Sequence, residues 1–312
     1  MLDLAGRTAF ITGGAQGIGL GIARALATEG VRLALADLDE TALAAAKAEL
    51  SPVTAVETYR LDVGDRDGYA RTADAVEERL GPVSLLCNNA GVGGNSPVSE
   101  MSYALWDLVF GTNLGGVING LQTFLPRMIA RGEPAHVVNT ASAAGLAPMG
   151  GSTGYLYEGS KAGVIGLSEA LAKQLEHEGH PVGVSVLCPG PVATNMVATI
   201  RAARAGLDPA TGPVDPGERD ERERLLAEQE SYLRYLGMSP DAVGPMVVDG
   251  IRNARLHIIT DRSMAESLAA RAKLLFTSLP KETEHDRRIS KHIAAQLRQF
   301  ARTGGAAGPE AG

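Results

Sequence analysis

Short apolar runs alternate along this chain with longer segments in which apolar residues recur every three or four positions. Several runs are apolar without polar alternation, which is typical of strands covered on both faces. Seven strands are predicted, at Thr8–Thr12, Val31–Asp37, Ala55–Asp62, Val83–Asn88, His136–Thr140, Gly183–Cys188 and His257–Thr260. Helices are predicted between them, near 18–29, 39–50, 65–80, 102–131, 157–178 and 240–254.

This alternation predicts βαβ units joined by right-handed crossovers. The expected fold class is therefore α/β, with a Rossmann-type doubly wound sheet of seven parallel strands and helices on both faces. Length alone would suggest about two domains, but α/β folds often run to ~250 residues as one. We expect residues 1–261 to form that single domain.

A long insertion, residues 192–239, follows the sixth predicted strand. It contains a Pro/Gly/Asp-rich part, Leu207–Gly217, and then a strongly charged helical run, Glu218–Glu230. A segment of this length is either a functional lid or a mobile loop. We expect it to cover the substrate.

A second segment lies beyond the last predicted strand. Residues 262–302 predict a helical C-terminal extension, with an amphipathic helix at 263–279 and another helix at 292–302. The Gly/Ala-rich residues 303–312 are expected to be disordered.

Composition and charge exclude several classes of protein. The 312 residues are 45% hydrophobic and 21% charged, as in ordinary globular proteins, and the net charge of −7 argues against binding nucleic acid or an anionic membrane surface. No apolar run approaches the ~18–20 residues that span a bilayer. The segment Met1–Arg7 shows no signal-peptide pattern. Cys87 and Cys188 are too few for a disulfide framework, so reduced, buried thiols and a cytoplasmic location are expected.

The segment Thr12-Gly-Gly-Ala-Gln-Gly-Ile-Gly19 follows the first strand and opens the first helix. A glycine turn that binds a dinucleotide requires this context. Glycines permit the tight turn and let the backbone approach a pyrophosphate, which then rests at the helix N-terminus. The predicted cofactor contacts in this turn are Gly13, Gln16, Gly17, Ile18 and Gly19.

Asp37 ends the second predicted strand. A carboxylate there can accept hydrogen bonds from the adenosine ribose hydroxyls and would repel a 2′-phosphate. Neither Gln16 nor Leu38 supplies the positive charge that phosphate recognition normally needs, which favours NAD over NADP. The alternative is that Asp37 caps the helix that starts near Asp39.

Tyr157 and Lys161 are four residues apart in a predicted helix and therefore share one face. An unperturbed tyrosine loses its proton near pH ~10, and a nearby cation favours the phenolate. Such a pair can exchange a proton with an alcohol or ketone. Tyr155 lies on the wrong side of this helix to pair with Lys161, so Tyr157 is the predicted partner. Alone, the pattern is also common on solvated helix faces.

The glycine turn, Asn88-Asn89-Ala90-Gly91, Ser142, Tyr157-x-x-x-Lys161 and Pro189-Gly190 occur in the order found in short-chain dehydrogenases/reductases. Over roughly residues 5–261, the chain resembles that family. The resemblance implies that Tyr157 is the general acid/base and that Ser142 orients the substrate oxygen. Lys161 would hold the nicotinamide ribose and lower the tyrosine pKa, and Asn113 would anchor a water that links Lys161 to solvent.

The same resemblance implies further cofactor contacts and no metal. Those on the adenosine side are Asp62, Val63, Asn89, Ala90 and Gly91, and those at the nicotinamide are Pro189, Gly190, Val192 and Thr194. The segment Asn88–Gly91 would also be partly structural. In the family, the helices near 102–131 and 157–178 pair across a two-fold axis, which implies a homodimer or homotetramer.

Ser142 and Tyr157 are fifteen positions apart, slightly more than the family pattern implies. The added length is expected in Met149–Gly154, beside the substrate. Ser152 is a competing hydroxyl donor, but Ser142 directly follows the fifth predicted strand and is preferred.

Substrate choice is expected to lie in Val92–Val98, Ala143–Tyr155, the insertion and the extension. The candidate lining residues are mainly apolar, namely Leu146, Met149, Tyr155, Met196 and Ile200. Such a pocket fits a bulky hydrophobic or aromatic secondary alcohol or ketone. Arg201 and Arg204 could meet an anionic group at the entrance, or be solvated helix charges.

The insertion and extension together are similar to those of bacterial enzymes that oxidise the benzylic alcohol of lignin-derived aryl ethers. The likeness extends to Val117–Gly120, Pro126–Ala130 and His257–Thr260. An NADPH-dependent 3-oxoacyl thioester reductase would use the same catalytic residues and remains an alternative. A non-enzymatic nucleotide sensor is a second one, although it would be expected to lose the tyrosine or lysine that this chain keeps.

Overall fold

Seven parallel strands form a single sheet at the centre of the computed structural model, which describes residues 2–94, 96, 98, 101–149, 154–205 and 216–303. The strand order is β3-β2-β1-β4-β5-β6-β7. The strands are β1 (Thr8–Thr12), β2 (Arg32–Asp37), β3 (Val56–Arg60), β4 (Val83–Asn88), β5 (Ala135–Thr140), β6 (Val182–Cys188) and β7 (His257–Ile259). The order reverses between β1 and β4, which opens a crevice at the carboxyl ends of the strands.

Helices cover both faces of this sheet, so the predicted doubly wound α/β fold is confirmed. They are α1 (Gly17–Thr28), α2 (Glu40–Leu50), α3 (Arg66–Leu80), α4 (Tyr103–Phe110), α5 (Gly116–Arg131), α6 (Ala143–Leu146), α7 (Tyr155–His177), α8 (Met196–Ala205), α9 (Pro216–Leu236), α10 (Pro240–Arg252), α11 (Ala265–Thr277) and α12 (Glu284–Thr303). A π-helical turn, Gly111–Gly115, joins α4 to α5. No helix in the described ranges is long and apolar enough to cross a membrane.

Two apolar cores hold the layers together, one on each face of the sheet. On one face, Ile22 of α1 and Val247 of α10 pack against the strands. On the other, Tyr69 and Phe124 pack on Phe10 of the central strand, with ring centroids 4.9 to 6.3 Å apart among the three. All five residues of β1 are buried. Removing this apolar surface from water is the main term that fixes the strand positions.

The described part of the insertion contains two helices, α8 and α9, of which only α9 was predicted, as a charged run. Val197 and Ile200 of α8 form a small apolar cluster with Leu226 of α9. The insertion is closed at its base, where the Ala193 N–H donates to the Met238 carbonyl over 2.9 Å. These contacts give the described part of the insertion a small apolar core of its own.

Arg201 joins the two helices of the insertion. Its guanidinium contacts the carboxylates of Glu223 and Glu230, each at 3.1 Å. It is therefore paired within the insertion. The Arg204 side chain lies outside the described residues, as do residues 207–215 of the predicted Pro/Gly/Asp-rich part.

The boundaries of several other predicted elements differ from those observed. The helix predicted at 102–131 is divided by the π-helical turn, and the last helix begins at Glu284 rather than at 292. The helix α11 lies close to the predicted 263–279 but buries none of its residues. Thr303, the first residue of the segment expected to be disordered, ends the last helix, and residues 304–312 lie outside the described residues.

Candidate active site

The glycine turn between β1 and α1 is shaped to receive an anion. Gly13 and Gly17 have φ angles of +61° and +54°, which favour glycine, and a Cβ on Gly19 would lie 2.0 Å from the Gly13 carbonyl oxygen. The helix α1 begins at Gly17 with no side-chain cap and no acidic residue in its first turn. Its first N–H groups can therefore donate to a pyrophosphate. The turn brings together the predicted cofactor contacts Gly13, Gln16, Gly17, Ile18 and Gly19.

Asp37 lies against this turn at the end of β2. Its carboxylate accepts hydrogen bonds from the N–H groups of Ala15 and Asp39, both at 3.2 Å. The cap of α2 is Asp39, which accepts from the Ala42 N–H over 3.0 Å. Asp37 therefore does not cap that helix. Leu38, beside it, is 57% exposed and offers no charge.

The strand ends next to the glycine turn carry the predicted adenosine contacts. The Thr12 hydroxyl accepts hydrogen bonds from the N–H groups of Asn89 and Ala90, at 2.9 and 3.1 Å, which fixes this loop beside the turn. Asn119 of α5 donates to the Val63 carbonyl over 2.7 Å. The Asp62 carboxylate accepts from the Gly64 N–H over 2.9 Å. The first of these hydrogen bonds joins the Asp62–Val63 loop to α5.

Ser142 and Tyr157 meet at the carboxyl end of the sheet. The Ser142 hydroxyl lies close enough to Tyr157 to favour its phenolate, and both residues are 8% exposed. Ser142 Oγ also accepts from the Ala144 N–H over 3.2 Å and so caps α6. The Nζ of Lys161 lies 5.8 Å from the centre of the Tyr157 ring and donates to the Thr140 carbonyl over 2.9 Å.

Burial controls the charges of this group. It lowers the pKa of Lys161 to about 8. Burial also raises the pKa of Tyr157, against the opposing effect of the Ser142 hydrogen bond. Desolvation disfavours the charged phenolate. That Lys161 lowers the pKa of Tyr157 stays a prediction.

Asn113 lies in the π-helical turn and is fully buried. Its Oδ1 accepts from the Val92 N–H over 2.8 Å, and its Nδ2 donates to the Val92 carbonyl over 3.0 Å and to the Ser160 hydroxyl over 2.9 Å. A Cβ on Gly91 would lie 3.1 Å from both Asn113 Oδ1 and Lys161 Nζ. Glycine at 91 therefore leaves room for these two side chains on the same side of the loop.

Ser160 was missed by the sequence reasoning. Its hydroxyl donates to the Tyr157 carbonyl over 2.8 Å while it accepts from Asn113, so it joins α7 to the π-helical turn. The sequence spacing could have identified it, because a serine three residues after Tyr157 lies on the same face of the helix as that tyrosine.

The predicted nicotinamide wall follows β6. The Pro189 carbonyl accepts from the Ala143 N–H over 2.8 Å, and the Gly190 N–H donates to the Thr260 hydroxyl over 3.0 Å. Val192 is buried, and the Thr194 methyl would lie 3.2 Å from a Cβ on Gly17. This wall therefore reaches from the serine helix to the glycine turn.

Apolar side chains pack around the loop after β4. Tyr155 packs on Trp106, with ring centroids 5.9 Å apart, in a cluster that includes Val92. A Cβ on Gly93 would lie 2.4 Å from Ile200 Cδ1, so α8 covers the loop after β4. Met149 is half exposed, and the competing Ser152 lies outside the described residues.

Residues 7–205 match the family profile described as short chain dehydrogenase. The chain belongs to the short-chain dehydrogenases/reductases. The match covers more than half of this dehydrogenase and includes the glycine turn and the Ser142, Tyr157 and Lys161 group.

Individual relatives agree with the family. This dehydrogenase is 35% identical over 289 residues to the C alpha-dehydrogenase of Sphingobium sp. (strain NBRC 103272 / SYK-6), covering 91% of this chain and 90% of that protein. A short-chain dehydrogenase/reductase from Burkholderia phymatum, solved in complex with NAD, superposes with a TM-score of 0.80 at 33% identity, over 91% of this chain and 99% of that one. The apo form of LigD from Sphingobium sp. strain SYK-6 gives a TM-score of 0.72 at 30% identity, over 90% of this chain and all of that one.

These findings confirm the resemblance to the bacterial aryl-ether Cα alcohol dehydrogenases. This dehydrogenase is thus an oxidoreductase of the alcohol-dehydrogenase type that uses a nicotinamide cofactor and acts on small molecules.

Proposed function

We propose that this dehydrogenase interconverts a bulky hydrophobic or aromatic secondary alcohol and its ketone, with NAD as cofactor. The proximity of Ser142 and Tyr157 beside the buried Lys161 carries the proposal, because it brings two hydroxyls together at the carboxyl end of the sheet. The match to a C alpha-dehydrogenase supports an aryl alcohol as the substrate.

The residues present fit NAD. The open N–H groups of α1 would hold the pyrophosphate, and Asp37, with no arginine or lysine at positions 16 and 38, would hold an unphosphorylated ribose. The bound nicotinamide would supply the hydride acceptor for the alcohol and the hydride donor for the ketone. The other predicted contacts, Asp62, Val63, Asn89–Gly91, Pro189, Gly190, Val192 and Thr194, would line the remainder of the site.

The protein's own groups would handle the proton. Ser142 and Tyr157 would both hydrogen-bond the substrate oxygen, and this donor pair stabilises the negative charge that develops there when a ketone is reduced. Tyr157 gives its phenolic proton to that oxygen in reduction and takes the alcohol proton in oxidation. The phenolate that oxidation needs is favoured when the Lys161 ammonium and a positive nicotinamide ring both face it.

Lys161 and Asn113 would connect this proton to solvent. Lys161 has a pKa of about 8, so it can give and take a proton near neutral pH. Asn113 is held by Val92 and Ser160 next to Lys161, where it would anchor the relay water implied by the family resemblance.

The surroundings of the site support an uncharged, apolar substrate. Tyr155 and Ile200 lie beside the loop after β4, and Arg201 is occupied by Glu223 and Glu230. Buried apolar lining favours a ligand with a large hydrophobic surface.

Substitution of Tyr157 tests this proposal. Tyr157→Phe should abolish turnover of secondary alcohols, measured by nicotinamide absorbance, while leaving NAD binding measurable. Tyr103→Phe, at an 88% exposed tyrosine of α4, is the control and should retain turnover. Activity in Tyr157→Phe would refute the assignment. Turnover of 3-oxoacyl thioesters with NADPH, and of no secondary alcohol with NAD, would favour the reductase. Tight NAD binding without turnover of any substrate would favour a sensor.

We further propose that the protein is a homodimer or homotetramer that pairs through the outer faces of α5 and α7. Among the apolar residues on these faces are Ile118, Leu121, Leu125, Ile129, Leu167 and Leu171, which line a groove of about 550 Å³. Light scattering on the full chain and on residues 1–261 distinguishes the two states and shows whether the extension, residues 262–302, changes them. The shortened chain also tests whether residues 1–261 form one domain.

A further inference from the structure

The helix that presents Ser142 is a single turn. Helix α6 has four residues, and Ser142 is its N-cap. A single turn has no stability of its own, because the first turn fixes several backbone dihedrals for one hydrogen bond. The position of the Ser142 hydroxyl therefore depends on the groups that hold α6 from outside.

Two of these contacts come from the dehydrogenase core. The Ala143 N–H donates to the Pro189 carbonyl over 2.8 Å at the start of α6. Gly145 lies so close to α7 that a Cβ would be 2.7 Å from the Lys161 carbonyl carbon. These contacts fix the beginning and one side of the helix.

The C-terminal extension also contacts α6, at its first residue and at its C-terminal end. Met264, which is 8% exposed, packs against Ala143 and Ala147. Arg271 of α11 donates from Nη1 to the Leu146 carbonyl. Leu146 is the last residue of α6, and carbonyls at a helix C-terminus lack partners within the helix. A cation there also interacts favourably with the helix dipole.

The beginning of the extension is anchored to the predicted nicotinamide wall. Thr260 accepts from the Gly190 N–H, and the Asp261 carboxylate accepts from the Ser263 N–H over 2.8 Å. A Cβ on Gly190 would lie 1.9 Å from Asp261 Oδ2. Because α11 itself buries no residue, this anchor and the two contacts on α6 fix its position on the site.

We propose that the C-terminal extension positions Ser142 by capping α6, with Arg271 and Met264 as the positioning residues. The serine caps the helix at one end and the arginine at the other, so loss of the second cap loosens the first. This inference rests on the proposed function where it assigns Ser142 to the substrate oxygen. A small displacement of an orienting hydroxyl lowers the rate strongly, since its alignment with the reacting oxygen is part of catalysis.

Hydrogen exchange and steady-state kinetics together test the proposal in the full chain. Arg271→Ala should make the amides of Ala144 and Gly145 exchange several-fold faster. It should lower kcat/KM for the alcohol by about tenfold and leave the Kd of NAD within about twofold. Arg271→Lys should restore most of both effects, because lysine keeps a charged donor. Lys273→Ala, an exposed cation on the same helix, is the matched control.

Met264→Ala is an independent variant, since it removes the packing on Ala143 and Ala147 without touching the cap. Like Arg271→Ala, it should make the amides of Ala144 and Gly145 exchange faster and should lower kcat/KM. Unchanged exchange at Ala144 and Gly145 in both variants would overturn the proposal, as would unchanged kcat/KM in an active enzyme. An inactive wild-type protein would contradict the proposed function instead, and the exchange rates would still decide whether the extension holds α6.

Discussion

Asn195 donates a hydrogen bond from Nδ2 to the Oε1 of Gln16 over 2.9 Å. This contact joins the start of the insertion to the glycine turn across 179 positions of sequence. Thr194 packs beside it against Gly17. The segment that leads into α8 therefore closes over the end of α1 at which the pyrophosphate is expected.

Asn195→Ala should speed NAD release, because it removes the hydrogen bond that closes the cleft. A hydrogen bond of this kind contributes about 1 kcal/mol, so the Kd of NAD should rise about fivefold. Stopped-flow displacement of NADH measures the release rate. Ala198→Ser, an exposed change on α8, should leave the rate unaltered. Equal release rates in Asn195→Ala and the wild type would show that the hydrogen bond between Asn195 and Gln16 does not slow NAD release.

Cofactor choice should depend on Asp37 and Leu38. Asp37→Ala combined with Leu38→Arg removes the carboxylate that repels a 2′-phosphate and adds a cation that binds one. The ratio of kcat/KM for NAD to that for NADP should fall at least tenfold, as measured by initial rates. Glu40→Gln, a nearby loss of charge, should leave the ratio unchanged. A ratio that stays constant in the double variant would exclude Asp37 as the discriminating residue.

Ser160→Ala should impair both stability and turnover. It leaves one Asn113 N–H without its buried partner, which should lower the free energy of unfolding by about 2 kcal/mol. Ser168 is a matched control on the same helix, since it accepts from buried Asn139 over 3.0 Å and donates to the Val164 carbonyl over 2.7 Å. Urea unfolding should show similar losses for both alanine variants. Only Ser160→Ala should lower kcat. An equal loss of kcat in Ser168→Ala would show that the loss does not come from the hydrogen bond between Ser160 and Asn113.

Lys161 should make stability depend on pH in the alkaline range. Burial lowers its pKa to about 8, from 10.5 in the unfolded chain. Between these two values the unfolded chain binds a proton that the folded protein does not, so stability rises with pH. Relative to Lys161→Met, the wild type should gain about 2 kcal/mol between pH 7.5 and 9.5 in urea unfolding. If the unfolding free energies of the wild type and Lys161→Met changed equally with pH, the pKa of Lys161 would not be lowered in the folded protein.

The sheet and the cofactor turn could be predicted because both depend on neighbours in sequence. Apolar runs define strands, and a glycine turn between a strand and a helix identifies itself by its position. The spacing of Tyr157 and Lys161 on one helix likewise placed both beside the Ser142 strand end. The pKa of Tyr157 could not be predicted this way, because desolvation depends on the whole fold.

The substrate side could not be predicted because its contacts join distant parts of the chain. Arg271 reaches Leu146 across 125 positions, and no periodicity in the extension marks that pair. Helix α8 was missed although Val197 and Ile200 are spaced for one apolar face, because its core is completed only by Leu226 of α9. Such pairings depend on tertiary packing, which overrides local propensity.

The π-helical turn Gly111–Gly115 makes the position of Asn113 depend on the number of residues in the helix that runs from α4 into α5. A turn of this type holds one residue more than an α-helical turn. Deleting a single residue there would rotate α4 relative to α5 by about 100°. Either the Asn113 amide or the buried Val109 would then leave its place. Relatives that keep this amide are therefore expected to conserve the residue count of the helix even where their insertions and extensions differ in length.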